Sequence, residues 1–296
     1  MKILLMKYFK KLIYIIEFVL ALALIALLLL IGMRSSAWLV GRLVRFVGKR
    51  HSAHKVAFGN LSRAIPNLSV EEKADLLDRV WLNLGMVFGE FLHVGLISGK
   101  KIEKIVNIDE NTRLMVDKMI ASQNEGRGGI VTSAHFGNWE VGLRYMMERG
   151  IKVKALYRPL NNIYVNWLMK KIRKGSHIAK SRDGLREIIK EVKKGNFVVI
   201  LADQKVTGGL PIKFFHDEAL TTESVAKIVT KYDVDLVMAK VTRVGSESRF
   251  RFGLEEVAVL KDSSSYDVTK LITNKIEDWV RDCPEQWFWV HDRWKK

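Results

Sequence analysis

Along the 296 residues the hydrophobic pattern changes character twice. From Leu12 to Ile31 nearly every position is apolar, with Glu17 the single charge. Twenty helical residues rise about 30 Å, the thickness of a bilayer's hydrocarbon core. Next, Trp38-Leu39-Val40, Leu43-Val44 and Phe46-Val47 alternate with Arg42 and Arg45, a pattern suited to a helix on a membrane surface. Residues 51–100 carry apolar spacing near 3.6, and Ser69-Val70-Glu71-Glu72 forms a capping box at the head of a helix running towards Gly99. From Gly128 onward strand and helix patterns alternate. Strands are predicted at 129–134, 152–157, 197–202, 211–215, 234–242 and 249–259. Helices are predicted at 139–149 and 183–194, closed by Gly150 and Gly195, and at 161–174, 222–231 and 266–281.

This alternation predicts an α/β fold, a largely parallel central sheet flanked by helices, with antiparallel pairing added by the last two strands. No internal repeat, low-complexity tract or long Pro/Gly linker interrupts the chain. The predicted organisation is an N-terminal membrane anchor, 1–33, and one domain, 34–296. Within that domain a helical cover, 34–110, precedes an α/β core, 111–296.

Composition narrows the setting. The single cysteine, Cys283, excludes an internal disulfide framework and fits a reducing compartment; it has no nucleophile motif and reads as structural. Met33-Arg34-Ser35-Ser36-Ala37-Trp38 is a poor signal-peptidase site, which favours an uncleaved anchor. Lys2, Lys7, Lys10 and Lys11 precede the apolar segment; Arg34, Arg42, Arg45, Lys49 and Arg50 follow it. These flanks nearly balance, giving only a weak vote for a cytoplasmic body. Glu17 is costly in mid-bilayer, so a shallow interfacial helix stands as the second reading. The net charge is +17, concentrated in residues 141–194, where fifteen Lys or Arg face four Asp or Glu. Such a field suits anionic partners: lipid headgroups, phosphorylated glycolipids, an acidic carrier protein or nucleic acid. No aromatic-basic stacking motif or helix-turn-helix pattern supports the last.

Sites in open α/β sheets form where loops leave the carboxyl ends of strands. Three such loops carry polar groups. The first holds Thr132-Ser133-Ala134-His135-Phe136-Gly137-Asn138-Trp139-Glu140. His135 is expected on the loop, Asn138 as the cap of a new helix and Glu140 in its first turn. The Glu140 carboxylate then turns back to hold the imidazole in one tautomer, leaving the other nitrogen as a general base. The second loop is Tyr157-Arg158-Pro159 with Asn161 and Asn162; the third is Ala202-Asp203-Gln204-Lys205. No metal site is expected, since His135 and Glu140 supply two ligands and no Cys or His cluster completes a set. No cofactor is suggested.

His135-Phe136-Gly137-Asn138-Trp139-Glu140 resembles the H-x4-D/E motif of the lysophospholipid acyltransferase superfamily, and within it the bacterial lipid A biosynthesis acyltransferases of the lauroyl/myristoyl type. Tyr157-Arg158-Pro159-Leu160-Asn161-Asn162, Asp203-Gln204 with Phe214-Phe215, and Pro284 to Lys295 are similar to the later blocks of that family, in the same order. Asn60-Leu61 and Phe91 also fit. Two departures stand out: His216-Asp217 follows the paired Phe where a small residue is usual, and Cys283 precedes Pro284. The resemblance implies transfer of a fatty acyl chain from an acyl carrier protein thioester to a hydroxyl on a primary acyl chain of a phosphorylated lipid A precursor. It implies His135 as base and Glu140 as its orienting acid. Asn138 or helix-start N–H groups are implied as oxyanion donors, with Asp203 and Gln204 at the substrate site. Arg158 and Arg173 are the candidates for the acceptor's phosphates or sugar acids, because a guanidinium fork matches them in two-point geometry. The implied location is the inner membrane, catalytic domain on the cytoplasmic face. Acylation of another membrane lipid, such as a phosphoinositide mannoside, lysophospholipid or amino-acid lipid, from acyl-coenzyme A as well as carrier protein, is the alternative. The tryptophans of the closing segment are expected in packing and interfacial anchoring, and His291 is left outside the catalytic set.

Overall fold

The computed structural model describes residues 2–174, 177–180, 184–260 and 262–294. Asp183, where one helix was expected to start, and Lys295 of the closing segment lie outside them, as do the side chains of Lys2 and Lys7. The chain begins with α1 (Lys2–Gly48), α2 (Ser52–Ala64), α3 (Val70–Leu96) and the single turn α4 (Lys100–Glu103). There follow β1 (Val106–Asn107), α5 (Glu110–Asn124), β2 (Gly129–Ser133), α6 (Trp139–Glu148), β3 (Val153–Tyr157) and α7 (Ile163–Ile172). Next are β4 (His177–Ala179), α8 (Gly184–Lys193), β5 (Phe197–Leu201) and the hairpin β6 (Lys205–Phe214) and β7 (Asp217–Thr221). The chain closes with α9 (Ser224–Tyr232), β8 (Asp235–Arg243), β9 (Phe250–Glu256), α10 (Ser265–Asp282) and a 3₁₀ turn at Pro284–Gln286.

Seven strands form the central sheet in the order β1-β9-β8-β2-β5-β3-β4. From β8 to β4 every pair is parallel; β9 turns back against β8, and β1 runs parallel to β9. The strands are apolar almost without interruption because both faces are covered. Alternate side chains feed two cores. Ile130, Val198, Ile200, Leu236 and Met238 face one, with α2, α9 and α10. Val131, Val199, Val237, Ala239 and Val241 face the other, with α5 and α6.

Three strands, β1, β4 and β7, were not legible as such. β1 and β4 have two and three residues, too few to show a period. The strand expected at 211–215 forms as the end of β6, but it pairs with β7 in a separate two-stranded sheet, with Phe214 and Phe215 buried against the closing tryptophans.

α1 is two arms, broken at Gly32 (φ 77°, ψ 169°). Arm 33–48 packs along α3 through glycines. A Cβ at Gly85 would come within 3 Å of the Gly41 backbone, and one at Gly89 would overlap that of Ser36. Its other side exposes Trp38, Leu43 and Phe46 beside Arg42, Arg45 and Lys49, the mixed surface the sequence predicts. Arm 2–31 exposes most of its leucines and isoleucines and buries Leu28 against Leu92 and Ile172.

Candidate active site

β2 and β5 are neighbours in register, Ser133 opposite Leu201. Two residues beyond that pair, on each strand, stand His135 and Asp203. The Asp203 carboxylate meets His135 twice: Oδ1 lies 2.8 Å from Nδ1 and Oδ2 accepts the His135 backbone N–H at 3.0 Å. The Trp287 indole N–H donates to Oδ2, also at 3.0 Å. Burial alone would raise the Asp203 carboxyl, but the His135 ring and backbone and the Trp287 N–H outweigh it and hold it below the ordinary carboxylate range. A carboxylate only accepts, so Nδ1 carries the ring proton and Nε2 keeps a lone pair. The ring retains about a fifth of its side-chain exposure (21%).

The expectation for Glu140 is therefore corrected. The carboxylate on His135 is Asp203, brought there by strand order from 68 positions away. Glu140 is buried in the first turn of α6 and pairs with Arg173 through both guanidinium Nε (3.1 Å) and Nη2. The Arg173 guanidinium also lies over the Phe91 ring, 5.0 Å from its centroid. Arg173 is thus an ion-pair partner, not a free phosphate fork, although its side chain is 24% exposed.

Asn138 stands at the N-cap of α6 by position, but its side chain does not cap the helix. Its amide Nδ2 donates instead to Glu90 at 2.8 Å, in a fully buried cluster. Glu90 of α3 also takes both Nη groups of Arg243 (2.5 and 2.7 Å) and the Ser248 hydroxyl (2.7 Å); Arg243 Nε donates to Asn83 at 2.9 Å. An oxyanion role for the Asn138 side chain does not fit this burial, while the uncapped first-turn N–H groups of α6 remain available. Gly137 adopts φ 56° and presses so close to the Val241 carbonyl that any Cβ would collide with it.

The closing segment fastens this loop from the other side. Phe136 bridges Trp287, Gly137 N–H donates to Gln286 O at 2.9 Å, and Phe288 N–H donates to His135 O at 3.1 Å. Trp287, Trp289 and Trp294 are buried, so they pack and do not anchor at an interface. Asn60 holds the same segment through the carbonyls of Trp289 (2.8 Å) and His291 (2.7 Å). His291 Nε2 accepts the Lys205 N–H at 3.0 Å, and burial, opposed by the Asp203 charge, lowers its pKa; it is a neutral acceptor with no lone pair to spare. Burial also lowers the Arg293 guanidinium to about 10, against the pull of Asp203.

Beside His135 lies a narrow, mostly apolar crevice. Val80, Leu84 and Val87 of α3 line it with Trp139 and Phe288. Gln204 is half-buried next to Asp203. Arg158 is exposed one residue beyond β3, separated from β2 by β5, and makes no ion pair among the described residues. No group of three or more metal-ligating side chains occurs among the described residues.

The fold and site define an α/β protein with an anchor-length apolar helix and a carboxylate-braced histidine beside an apolar crevice. The chain belongs to the bacterial lipid A biosynthesis acyltransferase family, whose sequence model matches residues 5–296. It is 25% identical over 263 residues to the lipid A biosynthesis palmitoleoyltransferase of Escherichia coli (strain K12), covering 86% of this chain and 82% of the relative. The lipid A biosynthesis acyltransferase of Shigella flexneri matches at the same values. The lipid A biosynthesis lauroyltransferase of E. coli (strain K12) is 24% identical over 261 residues, 85% of this chain and 81% of the relative.

Proposed function

We propose that the protein transfers a fatty acyl chain from an acyl carrier protein thioester to a hydroxyl on a primary acyl chain of a phosphorylated lipid A precursor. His135, braced by Asp203, serves as the base. The observation that carries this reading is the 2.8 Å contact of a buried, ionised Asp203 with Nδ1, which leaves Nε2 as the basic nitrogen at the mouth of the crevice. Nε2 takes the hydroxyl proton as the oxygen attacks the thioester carbon. The first-turn N–H groups of α6 face the charge that develops on the carbonyl oxygen. The C–S bond then breaks, and the imidazolium returns its proton to the leaving thiolate. Substrate supplies the nucleophile, so no protein serine or cysteine is needed; Cys283, whose thiol burial pushes up, takes no part.

Glu140 acts through Arg173, fixing a guanidinium at the rim where an acceptor phosphate can share it. Arg158 stands ready at a more exposed position of the same basic face. A donor made in the cytosol places the catalytic body on the cytoplasmic face of the inner membrane, and the basic stretch 141–194 suits an acidic carrier.

The test is transfer of labelled acyl chain from acyl carrier protein to the Kdo-bearing lipid A precursor in detergent, with His135→Ala beside wild type. The mutant is expected to lose at least about a hundredfold in rate, the usual contribution of a general base. Near-normal turnover by a folded His135→Ala protein would overturn the mechanism. Transfer to other lipids, or from acyl-coenzyme A alone, would move the substrate assignment and leave the base in place.

A further inference from the structure

The apolar arm 2–31 is long enough to cross a bilayer, and most of its circumference is open apolar surface. One narrow face is different. Tyr14, Phe18, Ala21, Ile25 and Leu28, spaced by three and four residues, are half-buried or buried. α7 runs along that face, parallel to the arm. The Phe18 and Tyr164 rings meet at 5.8 Å, and Ile25 and Leu28 share one apolar cluster with Leu168, Met169 and Ile172.

A single charge, Glu17, interrupts the apolar stretch Leu12 to Ile31, and it stands where α7 begins. Asn162 Nδ2 donates to Glu17 Oε2 (2.7 Å) and to the Tyr14 carbonyl (2.9 Å). Asn162 Oδ1 accepts the N–H groups of Tyr164 and Val165 and so caps α7. Asn162 is buried, and both halves of its amide are committed: one starts the helix, the other ties that start to the arm. An ionisable side chain in a membrane segment is costly, and it is retained where it pairs and serves a function. Tethering asks nothing of Glu17, since a leucine there would sit in lipid at lower cost.

α7 joins the two arginines assigned to the acceptor. Arg158 lies four residues before its cap, and Arg173 directly follows Ile172. The arm holds this rod at both ends, through Glu17 at Asn162 and through Leu28 at Ile172. The second end is also fitted to α3, where a Cβ at Gly95 would collide with the Ile172 side chain. Below the break at Gly32, the Leu28 carbonyl accepts the buried Ser36 hydroxyl at 3.0 Å, which fastens the foot of the arm to the body.

We propose that Glu17 is a positioning residue for the acceptor: through Asn162 it registers α7 against the arm and so sets Arg158 and Arg173 for the phosphates of the lipid. The arm is then part of the acceptor-binding apparatus as well as an anchor. This role rests on the acyl transfer assigned above.

The test compares Glu17→Leu with Glu17→Gln in the full chain, following acyl transfer in mixed micelles against each substrate in turn. Glu17→Leu is expected to raise KM for the phosphorylated acceptor about three- to tenfold, the worth of an interhelical hydrogen bond in a membrane. Its kcat and its KM for acyl carrier protein are expected to stay at wild-type values. Glu17→Gln keeps an acceptor for Asn162 and should restore the acceptor KM. A wild-type acceptor KM in Glu17→Leu overturns this role alone, as does a raised KM that glutamine fails to rescue. The juxtaposition is read without activity from Phe18→Cys with Tyr164→Cys, in a Cys283→Ser background, treated with a short bismaleimide in native membranes. A linked peptide joining positions 18 and 164 is expected; two reactive thiols that never link overturn the proposal. A wild type that transfers nothing to the phosphorylated acceptor overturns the reaction assigned above, and this role with it.

Discussion

Two glutamate–arginine pairs flank the histidine loop, and they are built for different work. Glu90 and Arg243 are both buried, meet through both guanidinium Nη groups, and fill the remaining carboxylate capacity with Asn138 and Ser248. Glu140 and Arg173 meet at the rim, with the guanidinium partly exposed and resting on an aromatic ring. A buried pair with every lone pair satisfied is expensive to break from either side, because the survivor is left charged and unsolvated. At the rim only the arginine reaches water, and it can take a second anion there. The first pair therefore fixes where the loop is, and the second is free to respond to what binds.

The largest effect is expected at the buried pair. Arg243→Met strands the Glu90 charge and should cost about 3–5 kcal/mol of stability, read from the unfolding midpoint in mild detergent. A loss no larger than that of Arg173→Met would erase the distinction between the pairs. Asp203→Asn comes next, in rate: an amide nitrogen facing Nδ1 forces the ring proton onto Nε2, and transfer should fall by about a hundredfold or more with little change in apparent affinity. A mere affinity defect would count against Asp203 as the brace of His135.

A third carboxylate, far from the loop, calibrates both. Glu191 is held at about 2, from an ordinary 4.5, because bonds from Lys194, Asn196 and Lys154 outweigh the burial that would raise it. Its folded pKa is depressed, so its stabilisation is present above the ordinary value and drains away as pH falls from about 5 towards 2. The wild type should lose on the order of 2–3 kcal/mol more than Glu191→Gln across that window. Parallel acid curves for the two proteins would show that Glu191 is unshifted. Arg173→Met is expected to cost less stability than Arg243→Met, because Arg173 is itself partly exposed while Arg243 is buried, with a raised KM for the phosphorylated acceptor and a nearly intact kcat. A collapse in kcat would place Arg173 in the chemistry itself.

The fold was legible because both-face burial writes long apolar runs and Gly150 and Gly195 punctuate them. The place of His135 was legible too, on the loop that leaves a strand. Its partner was not. Glu140 is near in sequence, whereas Asp203 reaches His135 only because β5 lies next to β2, and a strand order is not written in local spacing. The fate of Asn138 was hidden for the same reason: its partner Glu90 sits mid-helix in α3 among apolar residues. Asp203 and Trp287 share one lesson, since a buried carboxylate needs several donors and those come from distant segments.

The glycine seam between arm 33–48 and α3 bears on how the protein can be handled. A truncation at residue 48, the obvious route to a detergent-free preparation, would strip the partner from Gly85 and Gly89 and bare a backbone-deep groove one residue from Glu90. Gly32 is the natural place to cut: upstream of it the chain contacts α7 and the edge of α3, downstream it packs along α3, whose Val80, Leu84 and Val87 line the crevice beside His135.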